Sequence, residues 1–454
     1  MPETSITGAE LRTARDEAIA GPLRVALTTL GCKVNYAEMA ELAGRLAGLG
    51  CEVVPENEPA DVRVLNSCAV TLQADATTRQ RLHRLRRRDP GCHLILTGCS
   101  VDANPDRYLA AGSDGVPAVA GLDAIFANSE KPRIADHVAA LAAGRGEPLH
   151  HLPPAGLRSR AFLKVQDGCD HRCTYCVVWR TRGASASVPE EVVMARARAA
   201  VASGHAEVVL TGVDLGSYGR DRGSDLTALV GHLLQGLDGT ARIRLSSINA
   251  NDIPERLVEL NGDPRLCSHW HIPLQSGSDR MLRAMHRGYR RQRYLRVVES
   301  LRRQDPHTEL TTDLMVGFPG ESHEDHEATL RLIDEVEFLG CHVFRYSPRP
   351  DTEAARLLPQ ADDALLRSRS AEVRRTAAAS ARRRRQRAVG RRHRVVWDRV
   401  AAGEAHGRTD AYHEVVADPA TGTRTGQMQT VLVTGGEGDL LRAIILPEAG
   451  GDER

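Results

Sequence analysis

Gln166–Asp167–Gly168–Cys169–Asp170–His171–Arg172–Cys173–Thr174–Tyr175–Cys176 is the stretch that decides how this 454-residue chain reads. Three cysteines stand here in C-x3-C-x2-C spacing, just after an apolar run, Ala161–Val165, with the character of a strand. Soft thiolates select iron–sulfur clusters or zinc. A structural zinc site closes with four ligands, and no fourth Cys or His stands at knuckle spacing beside these three. Cys173–Cys176 taken alone would read equally as half a zinc site or a redox dithiol. With Cys169 added, the set suits three corners of an iron–sulfur cube and leaves one iron without a protein ligand.

Downstream of the loop, short apolar runs alternate with helical stretches, the pattern of β/α units around a parallel sheet. The expected strands are 161–165, 207–211, 242–246, 269–273, 309–316 and 341–346, with helices such as 189–203 and 323–337 between them. Six units are too few for a closed eight-stranded barrel, so an open three-quarter barrel is expected. Ligands of parallel α/β sheets bind beyond the carboxyl ends of the strands. Small and polar residues gather there: Gly212 and Asp214 in Thr211–Gly216, Ser246, Gln275 in His271–Ser278, and Gly317 in Val316–Glu321. These five are the expected cofactor-binding residues. Ser278 and Glu321 read equally well as turn and cap residues.

Upstream, a first α/β series has expected strands at 24–30, 62–66 and 93–97. Cys32, Cys68 and Cys99 each follow one of them. Any one could be a buried apolar cysteine, but three at the ends of parallel strands meet at one sheet edge and form a second expected trio. Cys51, Cys92, Cys267 and Cys341 read as structural. His171 reads as a solvated or supporting residue.

A Gly-, Pro- and His-containing break at 144–160 reads as a linker, and residues 1–22 as a flexible leader. A long Ala/Arg helix runs from about Asp362 to Arg387 and on to Gly390. Short alternating strands then suggest a small β-barrel. The segment Ala381–Arg394 holds eight arginines and no acid; it is a candidate track for phosphate, or else a solvated helix face. Trp179 is the best candidate for stacking on a base, with a core position as the alternative.

The formal charge is +1, so any affinity for nucleic acid must come from local patches. Lys33, Lys131 and Lys164 are the only lysines, which weakens the argument from any single arginine. The amino terminus has no apolar core of a signal peptide, and no window is long and apolar enough for a membrane span. Ten cysteines without an export signal point to a reducing compartment, so a cytoplasmic protein is expected.

The compact loop, with Tyr175 before its last cysteine, resembles the defining motif of the radical S-adenosylmethionine (SAM) superfamily. With Thr28–Asn35, Asn66–Thr71 and Leu96–Cys99 upstream, the chain is similar to the radical methylthiotransferases. The wording of Leu30–Asn35, Leu210–Tyr218 and Phe344–Pro350 resembles the branch acting on threonylcarbamoyladenosine in tRNA. It departs from the branch at Asp214, more typically His, at Ser100–Asp102 after Cys99, and in the basic segment Val178–Gly183.

The resemblance implies an N-terminal methylthiotransferase domain (23–143), a radical SAM core forming a partial (β/α)6 barrel (161–388) and a TRAM-like RNA-binding β-barrel (389–449). It implies two 4Fe–4S clusters on the two cysteine trios, with SAM at the compact loop. A 5′-deoxyadenosyl radical would take hydrogen from carbon 2 of the adenine beside the anticodon, and a methylated sulfur would be delivered to that carbon from the second cluster. The implied partners are a tRNA anticodon stem-loop, a flavodoxin- or ferredoxin-type reductant and a sulfur donor, with no membrane. The competing readings are an isopentenyladenosine tRNA methylthiotransferase and a noncatalytic zinc- and RNA-binding α/β protein.

Overall fold

The structure is a computed structural model that describes residues 21–69, 72–109, 121–142, 159–239 and 241–447. The expected leader lies outside them except at its last two residues, and so does nearly all of the expected linker. The chain divides near residue 157 into two compact units.

The first unit is a five-stranded parallel sheet with strands β1 (Arg24–Thr29), β2 (Glu52–Val54), β3 (Val62–Ser67), β4 (His93–Gly98) and β5 (Ala124–Phe126), in the order β2-β1-β3-β4-β5. β3 is buried throughout, as expected of a parallel strand covered on both faces. The helix Lys33–Gly48 buries Asn35, Met39, Leu42 and Leu46, spaced three and four apart to make one inward stripe. This strand order reverses between β1 and β3, and the crevice at such a switch point is where doubly wound sheets take their ligands. The sequence reading missed β2 and β5, each three residues long and too short to show alternation.

The second unit contains the open arc. Strands β6 (Ala161–Asp167), β8 (Glu207–Gly212) and β9 (Arg242–Leu245) pair in parallel, with the two-residue β7 (Ala186–Ser187) antiparallel to β6. Strands β10 (His269–His271), β11 (Glu309–Val316) and β12 (Gly340–Arg345) pair in parallel. Isolated parallel bridges, Ile243 to Leu266 and Ser247 to His271, join the two sheets. The six-strand arc is the expected partial barrel. Its core packs Leu210, Ile243, Trp270, Leu310 and Leu332 among others. The helix His323–Val336 starts at a capping box, with Ser322 and Asp325 each accepting from the other's backbone N–H.

The helix Asp363–Ala388 leads into a closed barrel of β13 (Arg392–Ala401), β14 (Glu404–Thr409), β15 (Glu414–Ala417), β17 (Leu440–Ile445) and β16 (Met428–Glu437), in that order around the ring. β14 was not expected, because Glu-Ala-His-Gly-Arg-Thr carries almost no apolar signal. The arginine run before the barrel is largely occupied by carboxylates. Arg383 meets Asp334 and Glu337, Arg384 meets Glu309, Arg385 meets Asp439, and Arg387 meets Glu337. Four of the eight arginines of the run are thus neutralised at home.

The barrel is docked at the starting ends of the arc's strands. Glu207, fully buried, bridges Arg242 and Arg244 at 2.6 and 2.7 Å. Both arginines also donate to barrel carbonyls: Arg242 to those of Arg394 and Arg408, and Arg244 to those of Thr409 and Asp410. Tyr412 stacks on His269 with ring centroids 4.1 Å apart.

Candidate active site

The compact loop leaves β6 at its carboxyl end, the end expected of a ligand site. Gly168 has φ +71°, and a Cβ there would lie 1.9 Å from the Ala184 carbonyl oxygen. Only glycine lets the loop turn this close to the returning segment. Cys169 N–H donates to the Gly183 carbonyl, Thr174 Oγ1 to the Ala284 carbonyl at 2.9 Å, and Ala354 N–H to the Thr174 carbonyl. Three separate parts of the unit therefore hold the loop.

The three sulfurs lie close enough to act on one another electrostatically: the other two add to the upward shift of Cys169, and Cys173 adds to that of Cys176. Burial, followed by the charge of Asp214, pushes the Cys169 thiol up to about 12. Burial pushes Cys176 up to about 11, against opposing hydrogen bonds from the Val178 and Trp179 backbone. Such thiols keep their protons until a cation displaces them, and metal binding here releases protons. Cys176 Sγ accepts from Val178 N–H at 3.4 Å, and Cys173 Sγ accepts from Arg287 Nη1 at 3.6 Å.

Around the loop lie the expected cofactor residues. Gly212 ends β8, and a Cβ there would meet Gln166 Oε1 at 2.7 Å. Asp214 donates its N–H to that same oxygen, and its buried carboxylate lies 3.4 Å from His171 Nε2. Burial raises Asp214, against the lowering pull of His171. Ser246 Oγ, Thr211 Oγ1 and Asn249 Oδ1 are buried without a hydrogen-bond partner among the described residues. Gln275 has φ +74° and donates its N–H to the Asp313 carbonyl. Gly317 donates its N–H to Glu321 and has φ +73°, a left-handed backbone that favours glycine. Glu321 pairs with Arg369 at 2.6 Å, and Ser278 caps a helix while donating to Asp325. Both are structural.

Two His/carboxylate groups escaped the sequence reading because their members are far apart in the chain. His171 reaches Asp252 at 3.3 Å and Asn249 at 3.3 Å. Hydrogen bonding to Asp252 raises its pKa, against burial. His171 is therefore tied into the site. Inside the arc, Asp313 lies 3.3 Å from His271 and 3.0 Å from His342. Hydrogen bonds account for those contacts without an ion. Trp179 is half-buried between Arg172 and Arg180, whose guanidinium carbons lie 5.1 and 4.8 Å from its ring.

In the first unit, Cys32, Cys68 and Cys99 follow β1, β3 and β4, three neighbouring strands. Asn35 ties two of the cysteine turns together, donating to the carbonyls of Leu30 and Ser67 at 2.9 and 2.8 Å. Gly31 has φ +100°, and a Cβ there would lie 2.8 Å from Cys68 Sγ. Asn128 Nδ2 donates to Cys99 Sγ at 3.6 Å. Cys51 and Cys92 are buried in apolar clusters, Cys341 packs against the large core, and Cys267 is buried beside the Glu207–Arg244 pair, its Sγ 3.9 Å from Glu207 Oε2.

Comparison with known proteins sharpens this picture. Residues 163–333 match the Radical SAM superfamily, and residues 24–120 match Uncharacterized protein family UPF0004. The threonylcarbamoyladenosine tRNA methylthiotransferase MtaB of Thermotoga maritima is 36% identical over 423 residues, covering 90% of this chain and 94% of that protein. The chain belongs to the radical SAM methylthiotransferase family. It is an enzyme of the sulfur-group-transferring kind, and the cofactors of its family are SAM and 4Fe–4S clusters. The tRNA-2-methylthio-N(6)-dimethylallyladenosine synthase of Cereibacter sphaeroides is 34% identical, covering 90% of this chain and 95% of that protein. Among solved structures, the radical SAM methyltransferase TsrM of Kitasatospora setae aligns with TM-score 0.54 and 13% identity over 74% of this chain and 77% of its own. That is a likeness of fold. None of the described helices is long and apolar enough to cross a membrane.

Proposed function

We propose that this protein is a cytoplasmic tRNA methylthiotransferase that places a methylthio group on carbon 2 of N6-threonylcarbamoyladenosine, beside the anticodon. The observation that carries the reading is 36% identity to the Thermotoga enzyme over 90% of this chain, together with a three-cysteine loop at the carboxyl edge of a six-strand arc.

The residues suit the cofactors. Cys169, Cys173 and Cys176 would hold one 4Fe–4S cluster, and Cys32, Cys68 and Cys99 a second. Neighbouring strands lie about 4.8 Å apart, so β1, β3 and β4 present their cysteines across roughly 10 Å, a span that suits one cluster. Bound there, the clusters with SAM supply hydrogen-atom abstraction and a transferable sulfur. The orphaned Ser246 and Thr211 hydroxyls, Gly212, Asp214 and Gln275 would hold SAM, whereas Gly317 would shape the turn beside it. The domain assignment follows: 23–143 for the second cluster, 161–388 for the radical core and 389–449 for RNA. A flavodoxin- or ferredoxin-type protein would supply electrons, and a separate donor the sulfur.

Anaerobically reconstituted protein should hold about eight irons with matching sulfide. One zinc and no sulfide would overturn the reading. In a strain lacking the gene, nucleoside mass spectrometry of tRNA should show threonylcarbamoyladenosine without its methylthio group. Loss of methylthio-isopentenyladenosine instead would move the protein to the sister branch.

A further inference from the structure

Arg287 is buried, with 8% exposure, in the turn after the helix Asp279–Ala284. A buried guanidinium is expected to meet a carboxylate. Other buried arginines here do so: Arg242 and Arg244 share Glu207, Arg384 meets Glu309 at 2.8 Å, Arg369 meets Glu321, and Arg63 meets Asp89. Arg287 has no carboxylate within salt-bridge reach among the described residues. Its Nη2 donates to the Pro273 carbonyl at 3.0 Å, and Nε and Nη2 reach Tyr289 Oη at 3.4 and 3.3 Å. Its Nη1 points at Cys173 Sγ, 3.6 Å away. The ring of Tyr289 lies 5.3 Å from the guanidinium carbon. None of these partners is a carboxylate. The unit thus buries a permanent positive charge and aims it at a cysteine of the compact loop.

We infer that Arg287 is the built-in counter-cation of the iron–sulfur cluster on Cys169, Cys173 and Cys176 and sets its reduction potential. The inference rests on the proposed cluster at that loop. Three thiolates make such a cluster net negative when oxidised, and more so after it takes one electron from a low-potential donor. A fixed cation hydrogen-bonded to one ligand sulfur therefore favours the reduced form, because charge and hydrogen bonds to sulfur tune these potentials. Arg287 is a positioning residue and need not touch substrate.

The test uses the full chain with Cys32, Cys68 and Cys99 replaced by Ala, so that a single cluster titrates. Arg287→Met and Arg287→Lys are reconstituted anaerobically and reduced stepwise, with the reduced cluster followed by electron paramagnetic resonance. Arg287→Met should be at least tenfold harder to reduce, a downward shift of 59 mV for one electron, and Arg287→Lys should recover most of that. Failure of Arg287→Met to load while Arg287→Lys loads normally also supports the role. A fully loaded Arg287→Met with the parent's potential overturns it. Should both variants misfold, unsubstituted Arg287 in protein labelled with ¹⁵N-arginine decides: electron–nuclear double resonance must show a guanidinium nitrogen coupled to the reduced cluster, and its absence overturns the inference. A parent chain that binds no cluster, or whose cluster survives loss of Cys169, Cys173 and Cys176, refutes the underlying reading instead.

Discussion

Glu207→Gln tests the joint between the arc and the C-terminal barrel. The substitution keeps the shape of the side chain and removes its charge. In the native chain, burial alone would raise the Glu207 pKa, but Arg244, Arg242 and Arg160 outweigh it and hold the carboxyl well below its usual range. Without that charge, Arg242 and Arg244, both almost wholly inaccessible, keep only neutral hydrogen-bond partners. Breaking a buried ion pair by removing one member costs about 3–5 kcal/mol. At about 2–4 °C per kcal/mol for a large domain, the melting temperature should fall by roughly 10 °C. Circular dichroism reads the melt. Hydrogen exchange should show faster exchange in β13–β15, whose neighbouring carbonyls the two arginines hold, and little change in β10–β12. The sign with pH is fixed. A carboxyl with a depressed folded pKa stabilises above its unfolded pKa, and that stability is lost as pH falls toward the folded value. The gap between native and Glu207→Gln should therefore be full at pH 7 and narrow only in acid below about pH 4. Equal melting of the two proteins at pH 7 would refute the argument that this carboxylate neutralises the joint.

Replacing Cys169, Cys173 and Cys176 together with Ala should abolish methylthiolation and cut iron from about eight to about four per chain, as read by metal analysis and tRNA nucleoside mass spectrometry. Gly31→Ala places a methyl group 2.8 Å from Cys68 Sγ at φ +100°; it should lose the iron of the first unit and spare the compact loop, which iron counts in the two cysteine-triple backgrounds would show. Asp325 is held down at about 2: burial would raise it, but hydrogen bonds from Arg280, Ser278 and Ser322 win. Asp325→Asn should cost about 1–2 kcal/mol in urea melts. Because the folded pKa is depressed, that deficit should be present at neutral pH and disappear as pH falls through 4 toward 2.

The arc could be read from the sequence where its strands are buried on both faces and so appear as apolar runs, as in Val208–Leu210 of the fully buried β8. The compact cysteine loop could be read because its three members lie within one turn of chain. What escaped was assembled by distance in sequence. His171, Asn249 and Asp252 meet only after β6 and β9 lie close together. Arg287 was hidden for another reason: in a chain with arginine in nearly every cationic position, no single arginine stands out. Its meaning comes from the lack of a carboxylate beside it among the described residues, which only the folded chain reveals. The arginine run at 381–394 is the opposite case: Arg383, Arg384, Arg385 and Arg387 look free in sequence and meet acids in space.

The docking of the barrel also sets a length. Its carbonyls grip Arg242 and Arg244 where β9 begins, whereas the cysteine loop leaves β6 where that strand ends. Strands of six or seven residues at about 3.3 Å each separate those poles by roughly 20 Å. Under the proposed RNA-binding role of the barrel, an RNA held there would have to reach along the side of the arc before it could offer a base to the loop. A lone nucleoside is too small to bridge that gauge, and a hairpin with a few paired steps beneath its loop is large enough.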